Sequence, residues 1–116
     1  WNTERRQQPQ LIARQREVTR VEAERADTLR RHGEEIELQL AELKALDAQH
    51  ARLKQHALAL NSEREALTLA SYQAGRGDLG AVLAARREAV ETRLRLIDLD
   101  AQRAALRVRL NNLIAE

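Results

Sequence analysis

The chain has 116 residues, with no Phe, Met or Cys, one Trp and one Tyr, and 33% charged residues. That is enough for one domain, but Leu and Ala dominate the apolar set, which is the signature of long helices and excludes a globular core built on large side chains. Twenty basic residues against 18 acidic leave a net charge of +2, so the pI of 9.7 reflects Arg chemistry and excludes a strong positive field.

Trp1 to Gln8 is polar, and Pro9 suits the first turn of a helix, where its missing N–H costs nothing. Residues 1–9 are therefore expected to be a polar lead-in, with a first long helix over 10–71. Within it Leu29, Ile36 and Leu43 fall seven apart. Leu46, Leu53, Leu60 and Leu67 form a second series offset by three, as in the seam of a left-handed coiled coil. The first series continues as His50, Ala57 and Arg64, which narrows the seam. At 1.5 Å per residue such a helix would be about 90 Å long. Gly33 interrupts it, at a cost of about 1 kcal/mol relative to Ala.

Residues 71–85 hold Gly75, Gly77 and Gly80, three of the four glycines. Clustered glycines supply left-handed or tight backbone at no steric cost. Asp78 is placed to accept hydrogen bonds from the free amides of a helix beginning near Leu79. The spacing predicts a hairpin turn over 72–78, which makes the flanking helices antiparallel neighbours. Leu83 is expected to approach the Leu67 region.

A second helix is predicted over 79–114, and it carries two apolar stripes. One holds Leu83, Val90, Ile97 and Ala104; the other holds Leu99, Leu106 and Leu113, with Leu96 and Leu110 beside it. Residues 97 and 99 sit about 200° apart on a 3.6-residue helix, so the stripes occupy opposite faces. A two-helix hairpin buries one stripe per helix. The doubly striped helix therefore calls for neighbours on both sides, as in a bundle or the wall of a ring. Paired from the turn, the shorter second helix leaves residues 10–30 with no partner inside the hairpin. The expected fold is all-α: a long antiparallel two-helix coiled-coil hairpin.

Candidate chemistry is sparse. His50 and His56 are six apart and His32 is distant, so none forms the i, i+4 pair of a helical zinc site. Ser62 and Ser71 have no histidine at helical contact spacing, and two straight helices make no concave pocket for the carboxylates. Gly75-Arg76-Gly77 lacks the lysine and preceding strand of a phosphate loop. No catalysis, cofactor or metal is expected. Arg5-Arg6, Arg30-Arg31 and Arg86-Arg87 are scattered doublets, so no nucleic-acid partner is expected. No apolar run approaches the ~20 residues of a membrane span. The chain opens at Trp1 without an initiator Met and is expected to be a piece of a longer protein.

Tyr72-Gln73-Ala74-Gly75-Arg76-Gly77-Asp78-Leu79, followed by Val82-Leu83-Ala84-Ala85-Arg86, resembles the periplasmic hairpin turn of the outer membrane efflux protein family. The likeness is to the branch serving heavy-metal efflux. Glu91-Thr92-Arg93-Leu94 through Asn111-Asn112-Leu113 resembles that family's last long helix, and Arg6 to Ala13 the entry to the helix before it. The resemblance implies a fragment of an α-helical tunnel: the second-repeat hairpin of a homotrimeric channel, in the periplasmic part of an outer membrane protein. The implied partners are a periplasmic adaptor, whose hairpin tips meet these, and an inner-membrane proton-driven transporter. The implied docking tip is Tyr72, Gly75, Arg76, Gly77 and Asp78. Tyr72 and Gly77 fall where some members place a Tyr and an Arg that tie the closed tip together. Ala81 and Ala84 fall where some members place tunnel-entrance aspartates, and this sequence has no carboxylate at either. The competing expectation is a structural coiled-coil scaffold or an adaptor hairpin.

Overall fold

The computed structural model describes residues 2–115, with side chains described over 7–115. Helix α1 runs Asn2–Arg52, a π-helical turn follows at Leu53–Ala57, helix α2 runs Leu58–Gln73, and helix α3 runs Leu79–Ala115. The chain is all-α and folds as a helical hairpin. It divides into two compact units, Trp1–Leu38 and Gln39–Glu116.

In the first unit, α1 already covers the stretch expected to lead in, and Pro9 lies inside the helix rather than in its first turn. Glu4, Arg5, Arg6, Gln7 and Gln8 are good helix formers, which offsets the hydrogen bond that the proline removes and the crowding of its ring against the preceding turn. Leu11, Val18 and Leu29 are exposed. Local ion pairs line the helix: Arg20 joins Glu17 and Glu24, and Asp27 joins Arg30 and Arg31. Each such pair contributes about 0.2–0.5 kcal/mol.

The second unit is the hairpin. Its core lies on α3: Val82, Ala85, Ala89, Leu99, Leu106 and Leu110 are buried. Thr92, Leu96, Arg103 and Leu113 are half-buried and complete the series. The spacing alternates three and four from Val82 to Leu113, which is a heptad seam. Facing residues fix the antiparallel register. Asp47 meets Arg103, His50 meets Asp100, Arg64 meets Glu88 and Glu65 meets Arg86. The seam changes character along its length. Far from the turn Leu96, Leu99, Leu106 and Leu110 fill it; near the turn Val82, Ala85, Ala89 and Thr92 leave it narrow.

One expectation about the seam is corrected. The heptad spacing puts Leu60 and Leu67 in it, yet they are 55% and 64% exposed. On α3 Leu83 is 52% exposed, and Val82 and Ala85 are the buried residues at this level. The cause on the α2 side is the π turn, where the Leu58 N–H donates to the Leu53 carbonyl. One extra residue per turn rotates everything beyond it by about 100°.

Candidate functional site

The tip is built from backbone hydrogen bonds. Gly75, at φ 75°, is the one described residue with that left-handed conformation, and it stops the helix as only a residue without Cβ does cheaply. The Gly75 N–H donates to the Tyr72 carbonyl at 3.0 Å, and the Arg76 N–H to the Ser71 carbonyl at 2.9 Å. These are the paired closing bonds of a glycine-terminated helix. The Gly77 N–H also donates to the Ser71 carbonyl, at 3.2 Å. Gly77 matters for a different reason. A Cβ there would lie 2.9 Å from Ser71 Oγ and 3.3 Å from Ser71 Cβ, so any side chain would force the Ser71 hydroxyl to turn away and crowd the end of α2.

α3 starts at a side-chain cap. Asp78 Oδ1 accepts the Ala81 N–H at 2.9 Å, satisfying one of the free amides of the first turn. Its charge also sits at the positive end of the α3 dipole. With that oxygen engaged, Asp78 is a structural carboxylate as well as a surface one. Arg76 is exposed and forms no ion pair among the described residues. Tyr72 is 44% exposed, and Ala81 and Ala84 are exposed on the first turns of α3. The turn thus joins Tyr72, Gly75, Arg76, Gly77 and Asp78 in one short span. Ser71 is the tip residue that the sequence did not single out. Its carbonyl is the shared acceptor, a role that no side-chain pattern signals.

Midway along the hairpin a polar cluster interrupts the leucines. Arg103, with only 18% of its side chain exposed, holds Asp47 at 2.6 Å and Asp100 at 3.0 Å. His50 Nε2 lies 2.9 Å from Asp100, and Arg107 reaches Asp47 at 3.5 Å. Two carboxylates, two guanidiniums and an imidazole here form a neutralised interhelical bridge.

The outer faces carry apolar stripes. On α3, Leu79, Leu83, Val90, Leu94, Ile97 and Val108 are all about half or more exposed. On α2 the exposed pair is Leu60 and Leu67. Ion pairs mark the two sides of the hairpin. Arg64–Glu88, at 2.7 Å, crosses one side, and Glu65–Arg86, at 3.5 Å, crosses the other. Leu60 and Leu67 flank Arg64 at i−4 and i+3, whereas Leu83 and Val90 flank Arg86 at i−3 and i+4. Residues at those spacings share a helix face, so the two stripes lie on opposite sides. No described helix is long and apolar enough to cross a membrane.

No protein-family model matches this chain, and no curated protein and no solved structure matches it significantly. Fold and geometry define an antiparallel helical hairpin with a glycine-closed tip and an apolar stripe on each flank.

Proposed function

We propose that this chain is a periplasmic tunnel segment of an outer membrane efflux channel. It is a passive export conduit in a tripartite pump, working as a trimer whose tips dock onto a periplasmic adaptor served by an inner-membrane proton-driven transporter. The observation that carries the proposal is the second apolar stripe of α3, from Leu79 to Val108, which the hairpin leaves uncovered. A stripe of this length is more than scattered surface residues and fits the flank of a helix meant for lateral neighbours. Stripes on opposite sides make each contact head-to-tail, the kind that closes into a ring. The tip sequence and its resemblance supply the channel and the adaptor. Heavy-metal ions are the cargo that the resemblance favours.

The test uses the full-length protein that carries this chain, in cells that depend on it for resistance to a heavy-metal ion. Gly75→Val with Gly77→Val misdirects the turn and so moves Arg76 and Asp78. Resistance should be lost at matched membrane level and with the trimer retained. Full resistance in that variant removes the tip from the mechanism. Loss of the trimer instead reassigns the glycines to assembly.

A further inference from the structure

Up to the π turn the half-buried positions include Leu43, Leu46, His50, Leu53 and Ala57, alternating three and four. On an uninterrupted α-helix that seam continues through 60, 64 and 67. Beyond the π turn Leu53–Ala57 those three positions are exposed, and the half-buried residues include Leu58, Asn61, Glu65, Thr68 and Leu69. The helix thus carries two seams, one residue apart.

The two faces are matched in what they offer α3. The observed face supplies Leu58 and Leu69; the other supplies Leu60 and Leu67. The leucine count is equal, so apolar burial ranks neither face above the other. Opposite them α3 presents Val82, Ala85, Ala89 and Thr92, all small. Polar groups are partnered on both faces. On the observed one Asn61 Nδ2 donates to Thr92 Oγ1 and Glu65 pairs with Arg86. On the other, Arg64 already pairs with Glu88 of α3. What remains to tip the balance is the π turn on one side and the Asn61–Thr92 bond on the other.

We propose that α2 has two rotational settings on α3, and that the residue inserted at the π turn selects between them. In the setting described above, the extra residue sits in Leu53–Ala57. In the other, the helix runs plain through 53–57 and hands that residue to the tip, where Gly75 and Gly77 accommodate a longer path. α2 then turns by about 100° and advances by about 1.5 Å. Leu60 and Leu67 enter the seam as Leu58 and Leu69 leave it. The tip turns with α2, because the Ser71 and Tyr72 carbonyls close it. Packed seams change in whole steps of this kind, since side chains fit one arrangement or the other. Both settings belong to one copy of the chain, so they need neither a tunnel nor a neighbour.

The chain has no cysteine, so a single introduced thiol reports a single position. Arg64 is exposed and Glu65 half-buried, and a one-residue rotation exchanges them. Thiol labelling of Arg64→Cys and of Glu65→Cys is therefore compared at high dilution in two backgrounds. Leu58→Gln with Leu69→Gln should reverse their order: the thiol at 65 speeds up at least about threefold and the thiol at 64 slows, since labelling follows local exposure. Leu60→Gln with Leu67→Gln should leave position 64 the faster. Thr92→Ala is the milder variant, because it keeps all four leucines and removes only the hydroxyl that Asn61 reaches. There the two rates should converge from opposite directions. A background that speeds both thiols has only loosened the hairpin, and an order that no variant moves holds α2 in one setting. Either result would overturn the second setting.

Discussion

Gly33, Gly75 and Gly77 share a residue type and differ in what holds them. Gly33 lies in α1, and a Cβ added there would meet no atom within 4 Å, so Gly33→Ala should stabilise by about 1 kcal/mol through helix propensity alone. Gly75→Ala meets a left-handed backbone and should destabilise by about 1–2 kcal/mol. Gly77→Ala has ordinary backbone but strikes Ser71, and Ser71→Gly should recover part of its loss. Removing the cap with Asp78→Ala should cost about 1 kcal/mol. Thermal denaturation of these variants separates the causes. A destabilising Gly33→Ala, or a neutral Gly75→Ala, would contradict the assignment. The Asp78 cap was legible from the chain, because a carboxylate three residues ahead of a free amide is a local pattern. The Ser71 contact was not, because it depends on how the turn closes.

Along the elements, burial decides which stripe stabilises the hairpin. Leu106 is 1% exposed and Ile97 is 65% exposed. Leu106→Ala should therefore cost about 2–5 kcal/mol, while Ile97→Ala should stay within about 0.5 kcal/mol in the dilute chain. Equal losses would mean that both stripes are covered in a single copy. Arg103 presents a different case. Its pairs with Asp47 and Asp100 sit in the part of the seam that Leu96, Leu99, Leu106 and Leu110 line. Polar seam residues fix register at a cost in stability. Arg103→Leu should leave the melting temperature unchanged or raised, while permitting α3 to slip against α1. Disulfide trapping between cysteines placed at 61 and 92, and at neighbouring pairs, reads that slip. A single trapped register in the Leu variant would remove Arg103 from register selection. The heptad periodicity of both helices was visible in the sequence. Its break at Leu53–Ala57 was not, since Leu46, Leu53, Leu60 and Leu67 continue the pattern without interruption.

For the whole molecule, the outward apolar stripes make association the expected state. Burying one leucine is worth roughly 1.5–3 kcal/mol, and several together exceed the cost of bringing copies together when they pack well. Sedimentation equilibrium should show more than a monomer at about 100 µM, well above a micromolar dissociation constant. A clean monomer there would remove the lateral neighbours on which the tunnel wall depends. High salt should not dissolve the assembly, because its main contacts are apolar.

The all-α class, the position of the turn and the antiparallel pairing followed from local features of the chain. Uniform helix propensity, one glycine cluster and one capping carboxylate leave few alternatives, and each acts within a few residues of itself. The tertiary structure decided which apolar stripe faces inward. Leu60, Leu67 and Leu83 have the same hydrophobicity as the buried Leu99 and Leu106, so composition and period do not rank them. The π turn adds one residue to the helix, and beyond it Asn61 rather than Leu60 meets α3, through Thr92. A helix face is a rotational property, and a single inserted residue turns it by about 100° without altering any local propensity.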